Sequence, residues 1–303
     1  TLHNTLFPYT TLFRSGVEDG AHGDGSGGAE PDVLVLRSTV HGIPIEELRD
    51  AVEAVAPGRR VRLARTAAEE DALLPHARVV VGYRLSPEQL AAASNLELFA
   101  CVFAGVGHLD LDAFRDAGVA VTNASGVHAP NVSEYVLAQL VAGLRRFRRA
   151  WRQGDRAEWR KYDVRELHGS TVLVVGQGAI GEAVVDRLNA FGVETLAVRH
   201  TPAKGGPADE TFGYDAFATA LARTDHLVLA CPLTDETRGL VDREALRSLP
   251  VDAHVVNVAR GPVVDTDALV DALRSNDLAG AALDVTDPEP LPADHPLWRF
   301  DNV

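Results

Sequence analysis

Residues 171–181, with the sequence TVLVVGQGAIG, carry the pattern that is most informative about the fold of this chain. Its first five residues predict a buried strand, and an amphipathic helix follows the glycines as far as Ala190. The spacing is G-x-G-x-x-G: Gly176 permits a tight turn, Gly178 lets the backbone approach a phosphate, and Gly181 lets the helix pack closely on the strand. Strand, turn and helix together predict a dinucleotide site, because a helix N-terminus binds phosphate. The predicted phosphate-binding residues are Gly176, Gln177, Gly178, Ala179, Ile180 and Gly181. The alternative is a glycine-rich turn without a ligand.

The next predicted strand, residues 194–198, indicates which dinucleotide is bound. NAD-binding proteins usually place Asp or Glu at its end, to bond the 2′-hydroxyl of the ribose. Here Arg199 occupies that position, and arginine pairs well with a 2′-phosphate. His200 and Thr201 add hydrogen-bond donors. We therefore predict NADP as the preferred cofactor, with NAD as a tolerated alternative; a solvated loop arginine is the other interpretation.

Short apolar runs alternate with helical patterns along the rest of the chain, which predicts parallel sheets covered by helices. From residue 170 the alternation is regular enough for a doubly wound sheet. The other predicted strands are 32–36, 60–63, 79–81, 98–103, 120–122, 226–230, 254–257 and 281–285, and the predicted helices include 44–56, 131–149, 215–222, 243–249 and 265–275.

The composition argues against several classes of partner. The formal net charge is −14, so we expect neither nucleic acid nor an anionic membrane to bind. Only two of the 29 basic residues are lysines, which fits a salt-adapted cytoplasm or, alternatively, a GC-rich genome. Cys101 and Cys231 lie in apolar runs and are predicted to be buried thiols, and we expect no metal site. A cytoplasmic location is the expectation.

Three further segments follow predicted strands: CPLTDETRGL at 231–240, VNVARG at 256–261 and AALDVTDPEPLP at 281–292. Each therefore lies at the carboxyl edge of the predicted sheet, where open α/β sheets bind their ligands. A fourth segment, FAGVGHLD at 103–110, follows a strand in the first part of the chain.

From residue 32 to its end the chain resembles the D-isomer-specific 2-hydroxyacid dehydrogenases and their glyoxylate/hydroxypyruvate reductase relatives. The resemblance implies a Rossmann-type doubly wound sheet inserted in a second, flavodoxin-like α/β substrate domain, and usually a homodimer. It implies hydride transfer between NAD(P)H and a small 2-oxo acid to give a D-2-hydroxy acid, with glyoxylate, hydroxypyruvate, pyruvate and branched 2-oxo acids all open. The expected division is 1–30 artefactual or disordered, 31–123 substrate domain, 124–290 NAD(P)-binding domain, and 291–303 the start of a truncated return to the substrate domain.

The resemblance also assigns roles to residues. Arg260 matches the arginine that holds the carboxylate and carbonyl of the 2-oxo acid, and Glu289 matches the acid that orients a catalytic histidine. Asp284 matches a residue near the nicotinamide amide, and Ala104, Gly105 and Val106 match backbone that takes the substrate carboxylate. The remaining expected cofactor contacts are Cys231, Pro232, Thr237, Val258 and Ala259. Taken singly, Arg260 is also compatible with an ordinary loop arginine and Glu289 with one more surface acid.

The resemblance places the catalytic histidine in a Thr-Pro-His segment a few residues after Asp-Asn-Val, the residues with which this chain ends at Val303. His295 belongs to a preceding loop, and the role is not assigned to it. We therefore expect a C-terminally truncated chain that binds cofactor but reduces 2-oxo acids poorly or not at all. Residues 1–15 are expected to be a sequencing-adapter artefact. The alternatives are a dinucleotide-sensing, corepressor-like binding protein and an inactive fragment.

Overall fold

A computed structural model describes residues 31–37 and 44–303, in two compact units that divide between Val127 and His128. Each unit contains one parallel sheet with helices, so the predicted α/β fold is confirmed. The expected artefact at residues 1–15 and the glycine-rich segment that follows it, up to residue 30, lie outside the described residues.

The first unit has a five-stranded sheet in the order β2-β1-β3-β4-β5, which is the flavodoxin-like order. Phe99 and Leu34 fill its core, and Phe114 packs against them from a helix. Thr66, Ser86 and Asp110 start three of its helices by accepting a backbone N–H with their side chains. The elements are β1 Val33–Val35, α1 Ile45–Val55, β2 Val61–Leu63, α2 Ala67–Leu73, β3 Val79–Gly82, α3 Pro87–Ala92, β4 Leu98–Cys101, α4 Leu111–Asp116 and β5 Ala120–Asn123.

The second unit has a six-stranded parallel sheet in the order β11-β10-β9-β6-β7-β8. Counted from the first strand of this unit, the order is that of a Rossmann fold, and the chain reverses direction across the sheet between β6 and β9. The elements are α5 Ala129–Leu144, α6 Phe147–Asp155, β6 Thr171–Val175, α7 Ala179–Ala190, β7 Glu194–Val198, β8 Glu210–Phe212, α8 Phe217–Leu221, β9 His226–Leu229, α9 Arg243–Ser248, β10 His254–Asn257, α10 Thr266–Ser275 and β11 Gly280–Leu283.

Alternate residues of the central strands face two helical layers. Val172 and Val174 of β6 pack with residues of α5 and α7 such as Leu140. Leu173 and Val175 pack on the opposite face with residues of α8, α9 and α10. Because both faces of the sheet are covered, its strands read as continuous apolar runs, and this allowed the strands to be located from the sequence.

The single long helix predicted at 131–149 is wrong, because the structure contains two helices there. Helix α5 ends at Leu144, Arg146 takes a left-handed conformation with φ of 52°, and α6 begins at Phe147. The break is fastened by long-range contacts: the Leu144 carbonyl accepts the N–H of Arg165, and Nη1 of Arg148 donates to the Phe300 carbonyl at 2.8 Å. Tertiary contacts therefore override the local helical pattern here.

A buried histidine pair lies at the amino ends of β9 and β10, the sheet edge opposite to the one with the predicted site. Nδ1 of His226 accepts the backbone N–H of His254 at 3.2 Å, and their rings meet edge to face at 5.8 Å. Burial lowers the pKa of both imidazoles to about 4. Arg165 lowers the pKa of both further, Arg146 and His226 act in the same direction on His254, and Asp225 opposes the shift at His226. Both rings are therefore neutral at physiological pH.

Candidate functional site

The glycine turn after β6 has the geometry that its spacing predicts. Gly176 has φ of 96°, and a Cβ there would lie 2.5 Å from the backbone of Cys231, so only glycine fits. A Cβ on Gly181 would overlap the carbonyl oxygen of Gly176, so this glycine allows α7 to approach the turn. Gly178 differs, because a Cβ there would meet no protein atom within 4 Å.

The start of α7 is suited to an anionic group. Gly178 precedes the helix without a side-chain cap, and both Gly178 and Ala179 are exposed. The helix N–H groups therefore have no capping oxygen, and the space beside Gly178 is left open. An uncapped helix N-terminus beside open space is what the pyrophosphate of a dinucleotide requires, so these residues fit that cofactor.

Arg199, at the end of β7, is held close to this turn. Its side chain is only 12% exposed, and its Nη1 contacts Glu182 of α7 at 3.7 Å. The same nitrogen donates to the Gly205 carbonyl and to Oε1 of Gln177, the latter at 3.4 Å. The structure thus brings Arg199 together with the glycine turn.

The neighbouring predicted donors are much more exposed than Arg199. The side chain of His200 is 86% exposed, and its Nδ1 lies 3.5 Å from Oε2 of Glu236. Thr201 is also exposed, and it precedes a short 3-10 helix that contains Lys204. A bound 2′-phosphate would therefore meet one enclosed cation, Arg199, and a solvated rim.

The loop after β9 is closed by Thr237, which is 1% exposed. Its hydroxyl donates to the Pro232 carbonyl at 2.6 Å and accepts the N–H of Thr234 at 2.8 Å. Cys231 at the start of this loop is a free, buried thiol whose pKa burial raises to about 11. The prediction of buried thiols is confirmed for both Cys101 and Cys231. Pro232, the next residue of the loop after β9, is exposed.

The loop after β10 is braced by Asn257, a residue of the segment VNVARG for which the sequence predicted no role. Its amide is 1% exposed, accepts the N–H of Ala259 at 3.0 Å and donates to the Arg260 carbonyl at 3.1 Å. Val258 and Ala259 are buried, whereas Arg260 is exposed and donates from Nη1 to the Ala259 carbonyl at 2.6 Å. The brace fixes the backbone from which the guanidinium projects.

The loops after β10 and β11 are in direct contact. A Cβ on Gly261 would overlap the carbonyl group of Thr286, so the glycine beside Arg260 allows the two loops to meet. Asp284 lies just before Thr286 in the sequence and Glu289 lies just after it, and both residues are exposed. The loops that carry Arg260, Asp284 and Glu289 therefore meet at one sheet edge.

In the first unit, the segment 103–109 is also well organised. The Ala104 carbonyl accepts from the side chain of Asn123 at 2.6 Å, and the N–H of Leu109 donates to the Val106 carbonyl at 2.9 Å. His108 stacks on Tyr83 with ring centroids 4.1 Å apart, and its Nε2 lies 2.9 Å from the Tyr83 carbonyl. Gly105 is exposed at the centre of this loop, with open space around it. The backbone predicted to take a substrate carboxylate is thus accessible.

Two findings limit other types of site. Within residues 31–37 and 44–303, no three His, Cys, Asp or Glu side chains gather in a way that could hold a metal ion. In the same part of the chain, no helix has both the length and the apolar character needed to cross a membrane.

Comparison with known proteins gives a consistent result. Residues 137–303 match the family described as D-isomer specific 2-hydroxyacid dehydrogenase, NAD binding domain. A glyoxylate reductase of Thermofilum pendens is 37% identical over 258 residues, which are 82% of this chain and 74% of that protein.

Two solved structures illustrate the likeness in fold. A D-isomer specific 2-hydroxyacid dehydrogenase from Xanthobacter autotrophicus Py2, in complex with NADPH and MES, has a TM-score of 0.72 and 32% identity, with 90% of this chain and 86% of that chain covered. An NAD-dependent formate dehydrogenase from Staphylococcus aureus, in complex with NAD, has a TM-score of 0.62 and 26% identity, with 89% and 85% covered. The chain belongs to the D-isomer specific 2-hydroxyacid dehydrogenase family, and it carries that family's NAD-binding domain.

Proposed function

We propose that the activity to which this chain contributes is that of an oxidoreductase that reduces a small 2-oxo acid to a D-2-hydroxy acid, with NADPH preferred as the hydride donor. The observation that carries the proposal is the sheet edge of the second unit. There the loops of Arg260 and Glu289 meet, and the uncapped glycine turn lies at the same edge. The bound nicotinamide supplies the hydride, so the protein's own task is to bind and polarise the substrate.

Arg260 is proposed to bind the substrate. A guanidinium pairs with a carboxylate through two parallel hydrogen bonds, and a remaining N–H polarises the adjacent carbonyl. Because Asn257 holds the backbone at Ala259 and Arg260, the loop itself needs little ordering when the acid binds. Glu289 is proposed to orient a catalytic histidine, the proton donor that the family resemblance implies. Nδ1 of His295 accepts the N–H of Leu297 at the start of a 3-10 helix, so this histidine is not assigned that role.

The substrate proposal is tested by binding as well as by turnover. The chain saturated with NADPH is titrated with oxalate, a dianion that resembles a 2-oxo acid but accepts no hydride, and binding is followed by nucleotide fluorescence. NADPH oxidation with glyoxylate, hydroxypyruvate and pyruvate is measured in parallel. We expect Arg260→Gln to weaken oxalate binding by at least about tenfold, because a charge-assisted pair is lost. Equal oxalate affinity in wild type and Arg260→Gln would refute the assignment.

The preference for NADPH is supported by Arg199, an enclosed arginine where an acidic residue would select NAD. The relative from Xanthobacter autotrophicus was solved with NADPH and the one from Staphylococcus aureus with NAD, so both cofactors occur among similar proteins. We expect Arg199→Asp to reverse the preference, measured as the ratio of the NADPH and NADH dissociation constants. An unchanged ratio rules out the assignment.

We also propose that the chain forms a homodimer through the region of α6 and the segment that follows it. The side chains of Trp151 and Trp159 are 66% and 95% exposed, and large exposed apolar groups mark interaction surfaces. The same stretch of sequence is rich in arginine, a residue that is enriched together with tryptophan in protein interfaces. Sedimentation velocity tests this: wild type should be dimeric, and Trp151→Gln with Trp159→Gln should shift it towards monomer.

A further inference from the structure

Gln177, the second residue of the glycine turn, is a buried polar side chain with an unusual environment. It is only 2% exposed, and its Nε2 has no hydrogen-bond partner among the described residues. A Cβ on Gly206 would overlap this amide, so the loop after β7 is closed directly over it. Leaving a buried donor unpaired destabilises the folded state. An apolar side chain of similar size would avoid that cost, so the amide is retained for another reason.

The other end of the amide supplies that reason. Oε1 of Gln177 accepts from Nη1 of Arg199 at 3.4 Å and from the hydroxyl of Thr211 at 3.5 Å. Nη1 of Arg199 is also held by the Gly205 carbonyl and by Glu182. Three acceptors thus surround one nitrogen of the guanidinium. In residues 31–37 and 44–303 the structure shows no partner for Nε or Nη2 of Arg199.

We propose that Gln177 is a positioning residue for the choice of cofactor. It helps to hold Nη1 of Arg199 inward, which leaves Nε and Nη2 as a free pair of donors for the 2′-phosphate of NADP. This inference rests on the NADPH preference proposed above and names a residue through which Arg199 achieves it. A rigid fork with two parallel N–H groups matches a phosphate, and fixing it beforehand lowers the entropy lost on binding. Gln177 itself need not touch the cofactor.

Binding measurements separate this role from a general structural one. Dissociation constants are determined by calorimetry for NADPH and NADH, and for the fragments adenosine 2′,5′-bisphosphate and 5′-AMP. The variants are Gln177→Leu, Arg199→Leu, the double variant, and Thr211→Val, which removes the second partner of the Gln177 oxygen without touching the turn.

We expect Gln177→Leu to weaken NADPH and the 2′,5′-bisphosphate about tenfold while NADH and 5′-AMP change less than twofold. In the Arg199→Leu background, Gln177→Leu should not change the ratio of the NADPH and NADH dissociation constants further, because the guanidinium that Gln177 positions is gone. Thr211→Val should lower the NADPH preference by about two- to threefold. Should Gln177→Leu fail to fold, Thr211→Val carries the test alone, and an unchanged preference in it counts against the role.

The possible results separate the two proposals. A wild-type chain that binds NADH as tightly as NADPH overturns the proposed preference and the role of Gln177 with it. A wild-type chain that prefers NADPH, with an unchanged ratio in Gln177→Leu, overturns only the role of Gln177. Equal weakening of all four ligands likewise overturns it, since that result indicates damage to the turn rather than loss of an oriented arginine.

Discussion

The buried histidine pair makes the stability of the second unit depend on pH. Because the folded state keeps His226 neutral whereas the unfolded state takes up a proton below about pH 6.5, acid favours unfolding. The stabilisation is therefore complete above pH 6.5 and is lost as the pH falls towards 4. This is the direction expected for a histidine whose pKa is lowered by burial.

The size of the effect follows from the pKa. A fall from 6.5 to about 4 corresponds to a loss of ~2 kcal/mol at pH 5 relative to pH 7.5. His254 has a similarly lowered pKa, but the two rings are neighbours, so their contributions are coupled rather than additive. We therefore expect the pair to account for ~2–4 kcal/mol between these two pH values.

Urea unfolding followed by tryptophan fluorescence suits this question, since Trp151, Trp159 and Trp298 all lie in the unit that holds the pair. The key variant is His226→Asn, in which Oδ1 replaces Nδ1 as the acceptor for the N–H of His254 but does not titrate. The matched control is His200→Asn, which removes a histidine of the same unit that is 86% exposed.

We expect the difference in unfolding free energy between pH 7.5 and 5.0 to shrink by ~2 kcal/mol in His226→Asn and to stay at the wild-type value in His200→Asn. Using the difference between two pH values cancels any change in packing caused by the substitution itself. If wild type and His226→Asn lose the same free energy between these pH values, the reasoning from burial is refuted.

Three other outcomes are expected. Gly178→Ala should leave the melting temperature unchanged, because its Cβ meets no protein atom, but it should weaken NADPH binding at least about tenfold. Gly181→Ala should instead cost ~1–3 kcal/mol of stability, because its Cβ overlaps a backbone carbonyl. Calorimetric melting and titration compare the two variants, and an equal loss of stability in both would contradict the finding that the space beside Gly178 is open. Asn257→Ala should lower stability by ~1–3 kcal/mol and weaken oxalate binding, because two buried hydrogen bonds that brace Arg260 are lost; an unchanged oxalate affinity argues against the brace. Cys231, with a pKa of about 11, should resist iodoacetamide at pH 8 until urea is added, as read by mass spectrometry of the peptide, and rapid native alkylation would contradict its burial.

The elements around the glycine turn could be predicted because their local signals agree with the tertiary structure. The predicted strands at 171–175, 194–198 and 254–257 end at the residues predicted, since strands buried on both faces read as uninterrupted apolar runs. The strand Glu210–Phe212 was missed, because it lies at the edge of the sheet and only three of its residues pair with β7. The left-handed turn at Arg146 was missed because contacts distant in sequence fix it.

The site was predicted less completely than the fold. Loop positions followed from strand ends, so the edge that carries Arg199 and Arg260 was located correctly. A motif does not show which side chains brace those loops. Asn257 and Gln177 act through side-chain amides, and their hydrogen-bond partners are brought within reach only by the folded structure. A polar residue inside an otherwise apolar strand end, as in the segment VVNVAR, is the one signal that could have pointed to Asn257.

The central place of β6 in its sheet has a consequence for synthesis. During translation β6, β7 and β8 leave the ribosome before the other strands of their sheet and can pair with one another, since the register of all three is set within residues 171–212. The other edge of β6 then has to wait for β9, with which it pairs from Val172 to Val175. Until residue 229 emerges, the nascent chain therefore presents an apolar strand edge, the kind of surface that chaperones protect and that promotes association of incomplete chains.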